Sequence, residues 1–382
     1  MPYWKKVITM WLIFPLLLTG CWDKKDIQDI NYITSIGFDY VDNQYVAYVQ
    51  LIDFSSVAKM ESGKPNQPVP VWIGKGKGDT AISAVNDIYP TSQLRLFYGQ
   101  INSIVMSENV LKKGLKDVDE LQHRYYEMRY TPWVFGTRES LDKIFAATPF
   151  FNLSPFMSVL HQPQEGYKQK STIQPLRSRE FVSNIQEPGM AALLPSLSIT
   201  NRAWLKDEHP HAMLEMDGVF VFQDGKYEGW AAEKAVPGLR WVNPKTNRSP
   251  LILRQNGEPQ AALSLEKPKV DIVPNIQGKE VSYTVDVKLS GYISEIMQPM
   301  SEQLMEEKAA KQIQEEIKKT FVNGLDMKSD LLQLGHALYR QKNKDWKRLY
   351  SEKELILTPD SLKDIKVSVQ LNHAGKLKAT NG

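Results

Sequence analysis

The sequence predicts an α+β protein of several domains, in which three mixed units follow one another and the last is an antiparallel sheet covered by a long helix. Two observations predict this class. Helical and strand patterns alternate through the first half of the chain, and strand patterns dominate from Leu251 onward, interrupted by an amphipathic helix after Ser301. The 382 residues suffice for two or three hydrophobic cores. They include a single cysteine, so no internal disulfide supports them.

The chain begins with the pattern of a bacterial lipoprotein signal. The basic pair Lys5-Lys6 precedes an apolar run, Val7 to Leu18, and the small residues Thr19-Gly20 precede Cys21. A thiol in this position accepts a diacylglyceryl group, and cleavage then frees its amino group for a further acyl chain. We therefore predict that residues 1–20 are a signal peptide and that Cys21 becomes an S-diacylglycerol, N-acyl cysteine that anchors the chain to a membrane.

Two other interpretations of this segment stay open. The apolar run could be an uncleaved transmembrane helix, but about twelve apolar residues interrupted by Pro15 fall short of the roughly 20 that span a bilayer. The segment could also be a plain secretory signal. Nothing after Cys21 resembles a second membrane span, so we expect the body of the protein outside the membrane.

The first unit, residues 21–190, opens with a predicted β-hairpin. Strands Tyr32–Asp39 and Gln44–Phe54 flank Asp42-Asn43, which favours a tight turn. Residues 59–70 hold three prolines and a glycine and predict an exposed loop. The remaining predicted elements are a helix from Asp79 to Tyr89, a strand from Ile101 to Met106, a helix from Ser107 to Gly114, a helix opening at Asp117, a strand from Trp133 to Phe135 and a helix from Ser140 to Ala147.

The middle unit, residues 191–265, is predicted from a change of composition and a second hairpin. Pro188, Gly189 and Pro195 flank a short apolar stretch and mark the boundary. Apolar runs at 219–222 and 227–230 then enclose Asp224-Gly225, a strong turn signal.

The last unit, residues 266–382, combines strands with a long helix. Val281, Tyr283, Val285, Val287 and Leu289 alternate as in a half-buried strand. The helix is predicted to begin at Ser301 and end at Asn323-Gly324, with Met305, Ala309, Ile313, Ile317 and Phe321 along its buried side. A second helix from about Ser329 to Tyr339 and a strand from Ile365 to Leu371 complete the chain.

No residue pattern points to catalysis, a cofactor or a metal site. The histidines at 123, 161, 209, 211, 336 and 373 are dispersed, apart from His209-Pro210-His211, which lacks a metal-ligand spacing. The only thiol is assigned to lipid, and no nucleophile elbow is present. Gly74–Gly78 lacks the ending of a phosphate-binding Walker motif and is interpreted as a flexible loop between a strand and a helix. A formal net charge of +3 implies no nucleic-acid partner.

One segment combines side chains that suit protein contacts. Residues 124–133 alternate arginines with tyrosines and end in Trp133. About half of them are expected to face the core, and the sequence does not indicate which half. Arg124 and Arg129 are our candidates for a partner interface.

Several ordered segments resemble one family. Gly20-Cys21-Trp22-Asp23, followed by Ile36-Gly37-Phe38-Asp39, resembles the start of the Ger(x)C lipoproteins, the C subunits of bacterial spore germinant receptors. The likeness continues through Gly78–Ile82, Leu96–Gln100, Arg129–Thr131, Asp217–Phe222, Gly225-Lys226, Gly229-Trp230 and the spaced residues Asp330, Gly335 and Trp346. Two departures are Gln100, where the family often has histidine, and Leu349–Lys353, where it often has tryptophan and proline.

The resemblance implies a three-domain α+β lipoprotein with no enzymatic activity and no cofactor. It would lie on the outer face of the inner spore membrane and join two integral subunits, A and B, in a receptor that starts germination in response to nutrients. A substrate-binding lipoprotein of a transporter is the alternative, although it would need two similar α/β lobes. A lipid-anchored hydrolase would need a nucleophile and a base that the sequence does not show. The nutrient is not identified by any residue.

Overall fold

The computed structural model describes residues 3–4, 30–52, 69–124, 127–350 and 357–372, without the side chains at 119 and 121–123. Cys21 and most of the predicted signal peptide lie outside these residues, as does the predicted loop up to residue 68. Within the described ranges, no helix is both long and apolar enough to cross a membrane.

A large sheet of ten strands dominates the described part of the chain. The strands in this part of the chain are β1 (Ile30–Val41), β2 (Gln44–Ile52), β3 (Val71–Gly78), β4 (Arg95–Phe97), β5 (Ser103–Ser107), β6 (Trp133–Thr137), β7 (Leu176–Arg177), β8 (Ala191–Thr200), β9 (Leu205–Lys206), β10 (His209–Pro210), β11 (Met213–Gln223) and β12 (Lys226–Ala232). The main path of the large sheet runs β12-β11-β8-β6-β5-β1-β2-β3, with β4 paired to β1 and β7 paired to β6, and β9 and β10 form a separate ribbon. The central strands β1, β5, β6 and β8 run parallel, and antiparallel hairpins extend both edges.

Helices cover both faces of this sheet. They are α1 (Ala81–Asn86), α2 (Glu108–Lys113), α3 (Lys116–Arg124), α4 (Leu141–Ala146), α5 (Pro163–Gln169) and α6 (Ser178–Gln186), with 3₁₀ turns at Tyr89–Thr91, Phe150–Asn152 and Pro155–Met157. Helices α1, α2, α3 and α6 contribute to the core on one face, and α4 contributes to the core on the other.

Local signals position the first elements as predicted. Asp42 and Asn43 have φ angles of 53° and 61°, which a two-residue hairpin turn of the mirror-image type requires, and β1 pairs with β2 up to Val41 and Gln44. The Ser107 hydroxyl accepts the Val110 N–H at 3.3 Å and caps α2. Gly114, with φ 115°, ends that helix. These three predictions are confirmed.

Two predictions near residue 78 are wrong. Thr80, not Asp79, caps α1, because its hydroxyl accepts the Ser83 N–H at 3.0 Å. Gly74–Gly78 is not a loop but the end of β3, paired with β2. A Cβ on Gly76 would lie 2.3 Å from the Ala84 carbonyl oxygen, so glycine lets α1 pack directly on the strand.

The predicted middle unit, residues 191–265, is divided between two sheets. Strands β8, β11 and β12 complete the large sheet, because β8 pairs with β6 and β11 pairs with β8. The chain enters a second sheet at Ser249. The predicted hairpin is confirmed, with φ 50° at Asp224 and 76° at Gly225. The division into units 21–190, 191–265 and 266–382 stays a prediction.

The second sheet has the order β13-β14-β15-β16 and is covered by one long helix, as predicted. Its elements are β13 (Ser249–Gln255), β14 (Glu258–Gln277), β15 (Glu280–Ile296), β16 (Leu362–Asn372), α7 (Leu239–Val242), α8 (Glu302–Asp326), α9 (Leu334–Gln341) and α10 (Asn343–Tyr350), with 3₁₀ turns at Glu233–Ala235 and Pro359–Ser361. The first three strands are antiparallel. Strand β16 is parallel to β15, because the helices carry the chain back along the sheet before β16 begins.

Helix α8 buries every position that its periodicity predicts. Its stripe of five apolar side chains is at most 4% exposed, and the Ser301 hydroxyl caps its first turn. The predicted end at Asn323-Gly324 is wrong, since α8 continues to Asp326. Gly324 is instead a packing position, where a Cβ would lie 2.7 Å from the Ser329 carbonyl oxygen. The next helix begins at Leu334 rather than Ser329, which leaves a buried connection between the two.

Candidate interaction surfaces

The segment 124–133 leads to the end of the large sheet at which β1 begins. Strand β1 starts at Ile30, nine residues after Cys21, and Ile30 pairs with Arg95 in β4. Strand β6 is parallel to β5, and β5 is parallel to β1, so Trp133 at the start of β6 lies at the same end. We call this the tether end, defined by Ile30, Arg95 and Trp133.

Some members of the segment hold the tether end together. A guanidinium nitrogen of Arg95 lies 2.6 Å from Glu127 Oε1, and Glu127 Oε2 accepts the Tyr98 N–H at 3.3 Å. The Glu127 side chain is only 10% exposed, so its charge is compensated by Arg95 rather than by bulk water. Glu127 therefore ties the loop after α3 to β4.

Other members belong to the core. Trp133 and Met128 are buried, and the indole N–H of Trp133 donates to the His161 carbonyl at 3.1 Å. The guanidinium carbon of Arg177 lies 3.4 Å from the Trp133 ring centroid, and Arg177 also donates to the Thr131 carbonyl at 2.6 Å. These contacts hold the start of β6 and the residues just before it in place against the rest of the sheet.

The two predicted interface arginines are both exposed. Arg124 ends α3 with 68% of its side chain accessible, and its Nε lies 4.0 Å from Glu120. Arg129 is exposed on the loop between α3 and β6. The structure thus leaves both candidates exposed, on α3 and on the loop that follows it, and their role as an interface stays a prediction.

A second candidate surface lies where the connection between α8 and α9 meets the large sheet. The Gln333 amide makes two hydrogen bonds to the backbone of Ala191, accepting its N–H at 3.0 Å and donating to its carbonyl at 2.8 Å. Gln223 Oε1 accepts the Asp330 N–H at 3.1 Å. Ala191 and Gln223 are paired residues of β8 and β11, so both bonds reach the same end of the sheet. We call this contact the junction.

A buried carboxylate organises the junction. Asp330 Oδ2 accepts the Gly335 N–H at 2.6 Å at the start of α9. Burial raises the pKa of Asp330 to about 6, although backbone N–H groups of α9 oppose the shift. Gly189, with φ 67°, faces Trp346, and a Cβ there would lie 2.5 Å from the indole ring. Asp330, Gly335 and Trp346, which lie within 17 residues of one another, therefore meet Gly189 and the end of the large sheet at the junction.

Sequence analysis missed the two glutamines of the junction. Gln223 lies directly between the apolar run 219–222 and the predicted turn at Asp224-Gly225, while Gln333 adopts a left-handed conformation with φ 62° in a segment predicted as helix. The burial of Gln223 is visible only in the structure, where its amide needs a hydrogen-bond partner and finds Asp330.

The histidines with described side chains do not form a metal site. His161 is buried and lies 3.0 Å from Gln50 Oε1, and burial lowers the pKa of His161 to about 3, so it is neutral. His209 is exposed on the β9–β10 ribbon, and His336 is partly exposed on α9. Within the described residues, no group of three or more His, Cys, Asp or Glu side chains has metal-binding geometry. His123 and His373 have no described side chain.

A cavity of about 540 Å³ lies between the α2–α3 loop and α6. Its floor is apolar, formed by Ile104, Met106 and Phe181, and its rim carries Lys113 and Asp117. Tyr45 donates to Asp117 at 2.6 Å, and burial together with this bond raises the pKa of Tyr45. Asp117 is therefore already engaged within the protein.

Two family models match consecutive parts of the chain. The model of the spore germination protein N-terminal domain matches residues 23–199, and the model described as spore germination B3/GerAC like, C-terminal, matches residues 217–375. Spore germination protein KC of Bacillus subtilis strain 168 is 23% identical over 95% of this chain and 94% of its own length. Spore germination protein B3 of the same strain is 22% identical over 88% of this chain and 91% of its own length.

A solved structure has the same fold. A crystal structure of the GerBC protein superposes with a TM-score of 0.54, covering 88% of this chain and 96% of that chain at 15% sequence identity. The likeness includes the mixed arrangement of a large sheet and a second sheet under a long helix.

Proposed function

The chain belongs to the Ger(x)C family of spore germination proteins, and on this basis we propose that it is the lipid-anchored, non-enzymatic C subunit of a spore germinant receptor. It acts with integral A and B subunits in nutrient-triggered germination and lies on the outer face of the inner spore membrane. The observation that carries the proposal is the ordered match of both family domains, which together account for most of the chain.

The anchor is the lipid on Cys21. The lipoprotein signal at residues 5–21 supports it. The nine Cα-to-Cα steps from Cys21 to Ile30 reach at most about 30 Å. Confinement on this scale raises the effective concentration toward membrane subunits into the millimolar range, so weak contacts suffice for assembly.

The exposed arginines of the tether end are the proposed contacts with those subunits. Glu127 is bound to Arg95 at the tether end, and Arg124 and Arg129 lie three residues before and two residues after it, so both are near the place where the anchor joins the fold. A transporter's binding lipoprotein is less well supported, because the two sheets are unlike and do not form two similar lobes.

Germination of a deletion strain tests the proposal. Spores without the gene should lose their response to at least one nutrient of a panel, and the wild-type gene should restore it. The Cys21→Ala variant should not restore it and should take up no labelled fatty acid, whereas Thr19→Ala, which keeps a small residue before the cysteine, should behave as the wild type. Normal germination of the deletion strain with every nutrient would contradict the proposal.

A further inference from the structure

We propose that the tether end faces the lipid bilayer and that an exposed apolar patch there, formed by Trp72, Tyr89 and Leu94, enters the headgroup layer. The proposal rests on the lipid anchor of the proposed function. It adds a second membrane contact, made by the folded body itself, and it assigns the orientation of the large sheet relative to the membrane.

The patch is built from three different elements at one end of the sheet. Trp72 pairs with Leu51, and Leu51 pairs with Ile33 near the start of β1. On the same face of β3, Gly74 lies against Ile88, where α1 gives way to the 3₁₀ turn that begins at Tyr89. Trp72, two residues nearer the tether end, therefore lies toward that turn.

Short hydrogen bonds hold the rest of the patch in place. Tyr98 donates to the Tyr89 hydroxyl at 2.8 Å, and Ser92 donates to the Leu94 carbonyl at 2.6 Å. Asn31 in β1 donates to Ser92 at 3.4 Å, which keeps this turn beside the point where the chain emerges from the anchor. The patch is thus a fixed part of the fold.

Its composition matches the interface of a bilayer. Trp72 is 66% exposed, and Tyr89 and Leu94 are each 38% exposed. Tryptophan and tyrosine favour the headgroup depth of a membrane, because their rings combine an apolar body with a polar group.

The short stretch of chain between Cys21 and Ile30 indicates that the bilayer is what contacts the patch. Ile30 is confined to within about 30 Å of the membrane surface, whereas β1 carries the opposite end of the sheet about 36 Å farther along the strand. The tether end is therefore the end that meets the surface first. A few partly exposed apolar side chains increase the membrane affinity that the acyl chains provide, as any second weak membrane contact does.

Site-specific fluorescence on the full lipidated protein tests this orientation. Lipidation consumes Cys21, so one introduced cysteine is the only free thiol. Leu94→Cys reports on the patch, and Val41→Cys, 42% exposed at the far end of β1, is the matched control. Each variant is labelled with an environment-sensitive dye and inserted into phosphatidylcholine–phosphatidylglycerol vesicles that carry headgroup-depth nitroxide lipids.

We expect severalfold stronger quenching of the label at position 94 than of the label at position 41, and weaker quenching at 94 when Trp72→Ser is added. Equal quenching at the two positions, in protein that floats with the vesicles, would overturn the orientation while leaving the anchor intact. Shielding of the label at 94 from both nitroxide lipids and aqueous iodide would also overturn it, because a protein segment would then cover the patch. Failure to float would refute the anchor itself.

Discussion

Helix α8 and the segment from Arg124 to Trp133 are both rich in candidate contact residues, yet they differ in how their side chains are used. The apolar stripe of α8 repeats at helical spacing and is wholly buried against the second sheet. The segment has no period. It contains core residues such as Trp133, the ion-paired Glu127 and the exposed Arg124 and Arg129. A regular helical period therefore predicts which side chains are buried. In an irregular segment, the burial of each side chain depends on the residues that the fold brings next to it.

The largest expected effect comes from placing a charge in the stripe of α8. Ile317→Asp should lower the free energy of unfolding by several kcal/mol, because an unpaired charge would be buried where the side chain is 0% exposed. Lys318→Asp, on the exposed side of the same turn, is the matched control and should change it little. Thermal melts of the chain from Trp22 compare the two, and equal melting temperatures would show that α8 is not a core element.

The next effect depends on pH and tests the junction. The pKa of Asp330 is about 6 in the folded protein and about 3.8 ordinarily, so folding favours its protonated form. This stabilisation is complete below about pH 4 and is lost as the pH rises through 6, a change of about 3 kcal/mol. The stability of the wild type relative to Asp330→Asn should therefore fall between about pH 4 and pH 7. A constant difference over that range would rule out titration of Asp330.

A smaller effect is expected from the glutamine that links the two sheets. Gln333→Ala removes both hydrogen bonds to Ala191 and should lower the free energy of unfolding by about 1 to 3 kcal/mol. Gln341→Ala, which removes one exposed hydrogen bond between α9 and Ile272 in β14 of the second sheet, is the control and should have less effect. Amide hydrogen exchange at Ala191 should accelerate only in the first variant. Unchanged exchange there would argue against a junction held by Gln333.

The smallest effect on stability is expected at the exposed arginines. Arg124→Glu and Arg129→Glu should leave the thermal melt nearly unchanged, because both side chains are exposed. They should nevertheless reduce recovery of the A and B subunits with the protein, since an exposed charge reversal acts mainly on a partner. Normal recovery with both variants would remove Arg124 and Arg129 from the interface.

The elements that the sequence predicted well are those with local causes. Turn residues with positive φ at Asp42-Asn43 and Asp224-Gly225, the Ser107 cap and the α8 stripe all depend on neighbours within a few residues. The glycines at 74–78 and Gly324 were misassigned because their purpose is close contact with elements elsewhere in the chain. Propensity alone cannot distinguish such a glycine from one in a loop.

The candidate surfaces were predicted only in part. Sequence composition selected Arg124 and Arg129, but their nearness to the tether end follows from the Arg95–Glu127 ion pair and from the parallel pairing of β1, β5 and β6. Asp330, Gly335 and Trp346 were noticed through a family resemblance, and their contact at the junction depends on Gln223 and Gln333, which no local pattern connects. Contacts between residues that are distant in the sequence cannot be read from a single sequence.

The central claim is that the chain is part of a membrane receptor. Identifying the proteins that purify with it from its own membrane tests this most directly. The full lipidated protein, carrying an affinity tag at its carboxyl end, is purified from detergent-solubilised inner spore membranes, and the proteins that accompany it are identified by mass spectrometry. We predict that two integral germinant receptor subunits, A and B, are recovered with it and that Cys21→Ala abolishes their recovery. Recovery of a transporter permease and ATPase instead, or of no integral membrane protein, would contradict the account.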